Sequence, residues 1–347
     1  MLEQFTRQLA RLEQLSHDQI SVAVEQLTNA AVPASMKADF LIHLARKGET
    51  VEEIVAFVLA LRAQALEPPV DKAWRESYEI LDVCGTGGDR LGTFNISTTV
   101  ALICSAAGVP VAKHGNRAVT SQAGSADVLE TLGVRIDLSP VEAAASLRER
   151  NFAFFFAPNY HPAFKHIAPA RKLCAEKGQR TIFNFLGPLL NPARPTAQLV
   201  GVPRPELCEP LARALQSLEV RRAMVVCGKV GDEQCLDELS TLGDNSVAEF
   251  YQQRGLSTST LSPEQFPLQT ATLTDLLGSD RQSNAQVVRN LLEGKENGPK
   301  RDAVLLNAAA ALFVSGQVRN LAAGWDLANE VINSGAARRK LHSLIAE

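Results

Sequence analysis

From Ile80 onward, short β-branched or aromatic runs alternate with alanine- and leucine-rich stretches, and this alternation constrains the fold more than any other feature of the chain. The apolar runs are Ile80–Cys84, Val109–Ala112, Phe152–Ala157, Leu199–Val202 and Ala223–Cys227. Helical stretches follow most of them, at Thr98–Ala107, Val141–Arg150, Glu206–Leu218 and, after a variable middle, Ala303–Val314. Strand-helix alternation of this kind predicts an α/β fold with a mostly parallel sheet flanked by helices. Before it, from Leu9 to about Ala65, apolar residues recur every three or four positions, which predicts several short helices. Glu67-Pro-Pro-Val breaks that pattern and marks a hinge between the two parts. The stretch from Gln317 to Glu347 reads as two closing helices that cover the sheet.

The chain has 347 residues, 46% of them apolar and 21% charged, enough to bury a sizeable core. A formal net charge of -3 supplies no global attraction to nucleic acid or anionic membranes, so a small-molecule partner is expected. No apolar run is long enough to span a bilayer, and the first residues lack the basic-then-apolar layout of a secretion signal. Six scattered cysteines without a C-x-x-C pair suggest neither a zinc knuckle nor a disulfide framework. A cytoplasmic location is the corresponding expectation.

Chemistry concentrates in four segments. Asp82-Val-Cys-Gly-Thr-Gly-Gly-Asp89 stands where an apolar strand ends, and its glycines 85, 87 and 88 permit a tight turn with outward-facing amides, a cradle for phosphate. Arg90 replaces the last glycine of a dinucleotide fingerprint, and no Gly-Lys-Ser/Thr follows, so neither of the commonest nucleotide loops is present. On its own such a loop is equally a plain turn. Thr93-Phe-Asn-Ile-Ser-Thr-Thr99 then opens an apolar helix, where Asn95, Ser97 or Thr98 is expected to cap and where free amides attract anions. In Val109-Pro-Val-Ala-Lys-His-Gly-Asn-Arg117 a strand runs into Lys113, His114, Asn116 and Arg117, at the strand end where open parallel sheets bind ligands. Ser121-Gln-Ala-Gly-Ser-Ala-Asp127 adds a second small-residue turn, whose Asp127 reads equally as an acid favoured by the helix dipole.

In order and spacing these segments resemble the signatures of the anthranilate phosphoribosyltransferase family. The resemblance continues through His161-Pro-Ala-Phe-Lys, Thr181-Ile-Phe-Asn-Phe-Leu-Gly-Pro188, Leu236-Asp-Glu238 and Leu306-Asn-Ala-Ala-Ala-Ala311, nearly the whole chain. It implies transfer of the phosphoribosyl group of phosphoribosyl pyrophosphate to the amine of anthranilate, with Mg2+, in tryptophan biosynthesis. Carried over residue by residue, it implicates Gly85, Gly87, Gly88, Asp89, Thr93, Asn95, Ser97, Thr98, Lys113, Ser121 and Ser125 in holding the sugar pyrophosphate. Gly85, His114, Asn116 and Arg171 would face anthranilate, and Ser97, Asp237 and Glu238 would hold the metal. It also implies a small helical domain of residues 1–72 with a return segment near 164–190, a large α/β domain of 73–163 and 191–347, and a homodimer to which Phe40, Leu41 and Leu44 contribute unless they are internal core. The chain departs from the family's pattern in the longer segment Lys172–Gln179 and at Cys227 and Cys235, where histidine and glycine are usual. Other readings are a pyrimidine nucleoside phosphorylase-like enzyme, which would carry a Lys-His-Ser loop, and a non-catalytic nucleic-acid-binding relative.

Overall fold

A computed structural model describes residues 1–118, 122–231, 234–251 and 255–345. The chain opens with four helices, α1 (Leu2–Ala10), α2 (His17–Thr28), α3 (Ala34–Lys47) and α4 (Val51–Arg62). Ser16 and Thr50 begin α2 and α4 with capping boxes closed by Gln19 and Glu53, which satisfy amides the helices leave free. Glu53 is buried and takes Lys47 Nζ at 2.6 Å, together with the amides of Leu15 and Thr50, so one carboxylate ties three segments of the bundle. Phe40, Leu41 and Leu44 are fully buried within the single chain and belong to the internal core.

After the short α5 (Lys72–Ser77), strand and helix alternate: β1 (Leu81–Gly85), α6 (Ile96–Ala106), β2 (Val111–Gly115), α7 (Ser125–Leu132), α8 (Pro140–Arg150), β3 (Phe152–Phe156), α9 (Ala157–Tyr160), α10 (Ala168–Glu176), β4 (Ala197–Gly201), α11 (Cys208–Ser217) and β5 (Arg222–Val230). Three more strands follow, β6 (Gln234–Leu236), β7 (Asn245–Tyr251) and β8 (Ser257–Leu261), then α12 (Leu273–Leu276), α13 (Arg281–Leu292), α14 (Pro299–Val314), α15 (Leu321–Asn333) and α16 (Ala336–Leu344). The sheet runs β3-β2-β1-β4-β5-β7-β8, parallel as far as β5 and antiparallel beyond it, with β6 folded back on β5. The antiparallel extension lies in the variable middle, outside the sequence expectation: β8 is Ser-Thr-Ser-Thr-Leu, mostly exposed, and carries no apolar run to betray a strand.

Two cores face each other across the sheet. One packs α6, α13, α14 and α15 on one face, and α14 is buried nearly all round because its alanines let neighbours approach closely. The other joins the N-terminal helices to α11 and also takes Ile167, Ala170, Ile182 and Phe183, so the segment around α10 returns to the helical bundle. Lys37, buried on α3, fastens this return by donating to the carbonyls of His166 and Asn29 at 2.8 and 2.7 Å.

Candidate active site

Three neighbouring parallel strands, β2, β1 and β4, end in glycine at 115, 85 and 201, and Gly85 is in register with Gly201. A Cβ on Gly85 would lie 2.2 Å from Asp237 Oδ2, and one on Gly201 would lie 1.7 Å from the Asp237 carbonyl oxygen. No residue with a side chain fits at either place. The ends of β1 and β4 are bare so that the segment after β6 can lie directly across them, whereas a Cβ on Gly115 would meet Ser125 and Phe154.

The same segment meets the phosphate-type loops. Gly87 and Gly88 are in the left-handed region at φ 78° and 90°, and the Gly87 amide donates to Asp237 Oδ2 at 2.6 Å. The amide of Ser97, in the first turn of α6, donates to Glu238 Oε1 at 3.2 Å. Asn95 precedes α6 without capping it: its side chain instead donates to the Ala123 carbonyl and accepts from Asn284. Neither Ser97 nor Thr98 caps α6, and the Thr98 hydroxyl is buried with no hydrogen-bond partner among the described residues. The helix start therefore leaves its positive end to Glu238 and to whatever anion joins it.

Electrostatics in this corner are adverse to three carboxylates at once. Burial, then the charges of Asp89 and Glu238, hold the Asp237 carboxyl well above the usual range. Burial pushes Glu238 to about 7 although Lys113 opposes it. Adjacent acids are common on solvated surfaces, but here Glu238 is buried and Asp237 half-buried. Lys113 on β2 is buried, donating to the Val83 carbonyl at 2.7 Å with Ser97 Oγ at 3.4 Å. Beneath it Asp82, fully buried and raised to about 6 by desolvation, accepts from Asn191 Nδ2 at 2.9 Å and from the His114 amide. Crowded carboxylates with hard oxygen donors and a hydroxyl at hand suit a divalent cation such as magnesium, which would relieve their repulsion.

On the far side a row of rings leads away from His114. Its ring lies 5.5 Å from that of His161, which is 5.1 Å from Phe164, itself 5.8 Å from Phe183, and the exposed Arg171 guanidinium lies 5.7 Å over Phe183. His114 Nδ1 meets the Gly187 carbonyl at 3.2 Å, so that nitrogen carries the proton and Nε2 holds the lone pair, buried without a hydrogen-bond partner among the described residues. Burial lowers His114 to about 3 and His161 to about 4, so both are neutral at pH 7. Asn116 is exposed, and its main-chain carbonyl accepts from the Ser125 hydroxyl at 3.4 Å. Thr93 bridges to Leu277 at the edge of this region. Ser121 lies outside the described residues.

Two family models match, the glycosyl transferase family helical bundle domain over residues 3–65 and the glycosyl transferase family a/b domain over 77–338. An anthranilate phosphoribosyltransferase from Petrotoga mobilis is 44% identical, covering 99% of this chain and 96% of the relative; one from Geobacter sp. is 45% identical, covering 95% and 93%. The crystal structure of the Thermus thermophilus anthranilate phosphoribosyltransferase superimposes with a TM-score of 0.88 at 40% identity over 98% of both chains. That from Saccharomyces cerevisiae in complex with PRPP and Mg gives 0.87 at 29% identity, covering 99% of this chain and 96% of that one. The chain belongs to the anthranilate phosphoribosyltransferase family.

For a family member the structure adds contacts that motif reading does not supply. Asp127 closes the loop after β2: its Oδ2 accepts the amides of Ala118 and Gly124, both at 2.9 Å, while Oδ1 takes Arg117. From sequence it reads equally as a polar contact or as an acid favoured by the helix dipole; in the structure it accepts the amide of Gly124 three residues before it, the half of a capping box open to a glycine N-cap. Arg180 reaches 92 residues back to the Gly88 carbonyl at 2.7 Å, a contact no local signal announces. Asp82 and Asn191 form their pair across 109 residues of sequence.

Proposed function

We infer that this chain transfers the phosphoribosyl group of phosphoribosyl pyrophosphate to the amine of anthranilate, releasing pyrophosphate. The observation that carries the reading is the placement of Asp237 and Glu238 over glycine strand ends, against the amides of Gly87 and Ser97, in a chain that matches family members along its whole length. Displacing pyrophosphate from the sugar carbon builds negative charge on the leaving group, which oriented amides and the buried Lys113 cation oppose. The residues that would hold the sugar pyrophosphate are Gly85, Gly87, Gly88, Asp89, Thr93, Asn95, Ser97, Thr98, Lys113, Ser121 and Ser125. Asp237, Glu238 and the Ser97 hydroxyl would hold magnesium, which supplies charge neutralisation to the departing phosphates when bound.

The acceptor amine attacks, so no protein nucleophile is required. Arg171 would pair with the anthranilate carboxylate, while His114, neutral and with a free lone pair, and Asn116 orient the ring near the sugar carbon, beside Gly85. The proposal extends to a two-domain division at about residue 72 with the 164–190 segment returning to the helical part, to a homodimer, and to a cytoplasmic location. No described helix is long and apolar enough to cross a membrane. Incubation with phosphoribosyl pyrophosphate, magnesium and a panel of aminobenzoates, following loss of anthranilate fluorescence, tests the reading. Consumption of anthranilate supports it; inert aminobenzoates with phosphate-dependent release of base from a pyrimidine nucleoside would replace it.

A further inference from the structure

The segment that carries Asp237 and Glu238 has no regular secondary structure through Ser240, yet it must hold like charges together in a buried place. Two buried asparagines grip it immediately after the pair. Asn307, on α14 and fully buried, accepts the Leu239 amide on Oδ1 at 2.9 Å and donates from Nδ2 to the Leu239 carbonyl at 2.9 Å, its remaining hydrogen going to the Ala303 carbonyl. Asn245, at the start of β7 and also fully buried, does the same one residue later. Its Oδ1 accepts the Ser240 amide at 2.6 Å and its Nδ2 donates to the Ser240 carbonyl at 3.0 Å. A carboxamide is shaped like a peptide group and offers a donor and an acceptor side by side, so each asparagine pairs both polar groups of one residue as a neighbouring strand would. Alanine, serine or aspartate at these positions cannot do this.

From below, the segment rests on backbone. A Cβ on Gly228 would lie 2.5 Å from both the Glu238 carbonyl oxygen and the Ser240 amide, as one on Gly201 would collide with Asp237. Glycines thus fix the depth of the segment and the asparagines fix its position along the strand ends. Carboxylates crowded in this way would swing toward water if they were free to, since both desolvation and mutual repulsion favour it.

We propose that Asn307 and Asn245 are positioning residues that hold the acidic pair in register for its cation, so that the side chain of the otherwise unassigned Leu306-Asn-Ala-Ala-Ala-Ala311 motif sets the metal dependence of the reaction. The inference rests on Asp237 and Glu238 being the metal pair. Asn307→Ala leaves the pair in place chemically but lets its backbone drift, and displacements near 1 Å cost about a hundredfold in well-ordered sites.

The test compares Asn307→Ala and Asn245→Ser with the wild type and with Val331→Ala, a core truncation on α15 that removes no hydrogen bond to Leu239 or Ser240 and serves as a stability control. Two quantities are read: the magnesium concentration giving half-maximal rate, and the calorimetric gain in phosphoribosyl pyrophosphate affinity on adding magnesium. The expected result in either asparagine variant is a magnesium requirement raised by about tenfold or more and a gain cut by a similar factor, with the KM for anthranilate within about threefold of wild type. Val331→Ala should show neither change. If one asparagine variant does not fold, the other carries the same expectation. A uniform fall in kcat with unaltered magnesium dependence, or a loss that Val331→Ala shares, overturns the clamp. The Asp237→Asn, Glu238→Gln double variant separates the two ideas: a retained magnesium gain there refutes the metal reading itself, whereas its loss there with retention in the asparagine variants refutes only the clamp.

Discussion

Gly201→Ala tests the bare strand ends most severely. The added methyl would sit 1.7 Å from the Asp237 carbonyl oxygen and 2.2 Å from its carbon, both backbone atoms that no rotamer change can move. Ordinary contact begins at 3.4 Å, so the separation must double before the strain is relieved. Gly201 is the last residue of a central strand paired on both sides, at Gly85 and Val226, which leaves the Asp237 segment as the part that yields. Overpacking of this kind costs about 1–3 kcal/mol of stability. Displacing a site group by an ångström or more costs about a hundredfold in rate. Thermal melting should therefore register a modest loss, while kcat/KM for phosphoribosyl pyrophosphate at saturating magnesium falls by about two orders of magnitude. Gly48→Ala, in a turn of the helical bundle with nothing near its Cβ position, should leave kcat/KM unchanged. A Gly201→Ala protein that melts lower but keeps kcat/KM within about threefold would refute the claim that this glycine sets the position of Asp237.

Arg171→Ala should raise the KM for anthranilate by an amount corresponding to about 1–3 kcal/mol while leaving that for phosphoribosyl pyrophosphate nearly unchanged; equal effects on both, by steady-state kinetics, would remove Arg171 from the acceptor site. Asp127→Ala frees the amides of Ala118 and Gly124 at the two stems of one loop and should weaken phosphoribosyl pyrophosphate binding by about tenfold in calorimetry. Burial holds His114 at about 3 and His161 at about 4 in the folded chain, below the ordinary 6.5, so the stability they lend is complete above pH 6.5 and is lost as pH falls toward 4. Melting temperature should accordingly drop between pH 6.5 and 4, and His161→Gln should flatten that slope; an unchanged slope would show that the ring is not protonated at the expense of folding.

Much of this was legible before any coordinates. Strand and helix alternation placed β1 to β5 and α6, α8, α11 and α14 within a few residues, because buried parallel strands must be apolar throughout and their covering helices are long. The glycine and hydroxyl motifs were legible because backbone turns demand particular residues locally. What stayed hidden was set by distant partners or by polar surfaces. Strand β8 escaped because an exposed edge needs no apolar alternation. The burial of Asp237 and Glu238 escaped because adjacent acids look the same in sequence whether a sheet end lies beneath them or water does. Asn95 is one of three cap candidates in the sequence, with Ser97 and Thr98, but none of them caps α6, and Ala123 and Asn284 take its amide from outside the segment. Asn307 lies in a motif that reads as an alanine-rich packing helix, and only the contact with Leu239, 68 residues earlier, gives it a further task.

We propose that the acidic pair at the strand ends, Glu238 buried and Asp237 half-buried, serves the departure of pyrophosphate as anthranilate is consumed. The most direct measurement follows anthranilate fluorescence and released pyrophosphate together, with and without magnesium, in the wild type and in the folded Asp237→Asn, Glu238→Gln double variant. The expected result is equal loss of anthranilate and gain of pyrophosphate in the wild type, dependent on magnesium and lowered at least about a hundredfold in the double variant. A double variant that keeps a magnesium-dependent rate near that of the wild type would contradict that role.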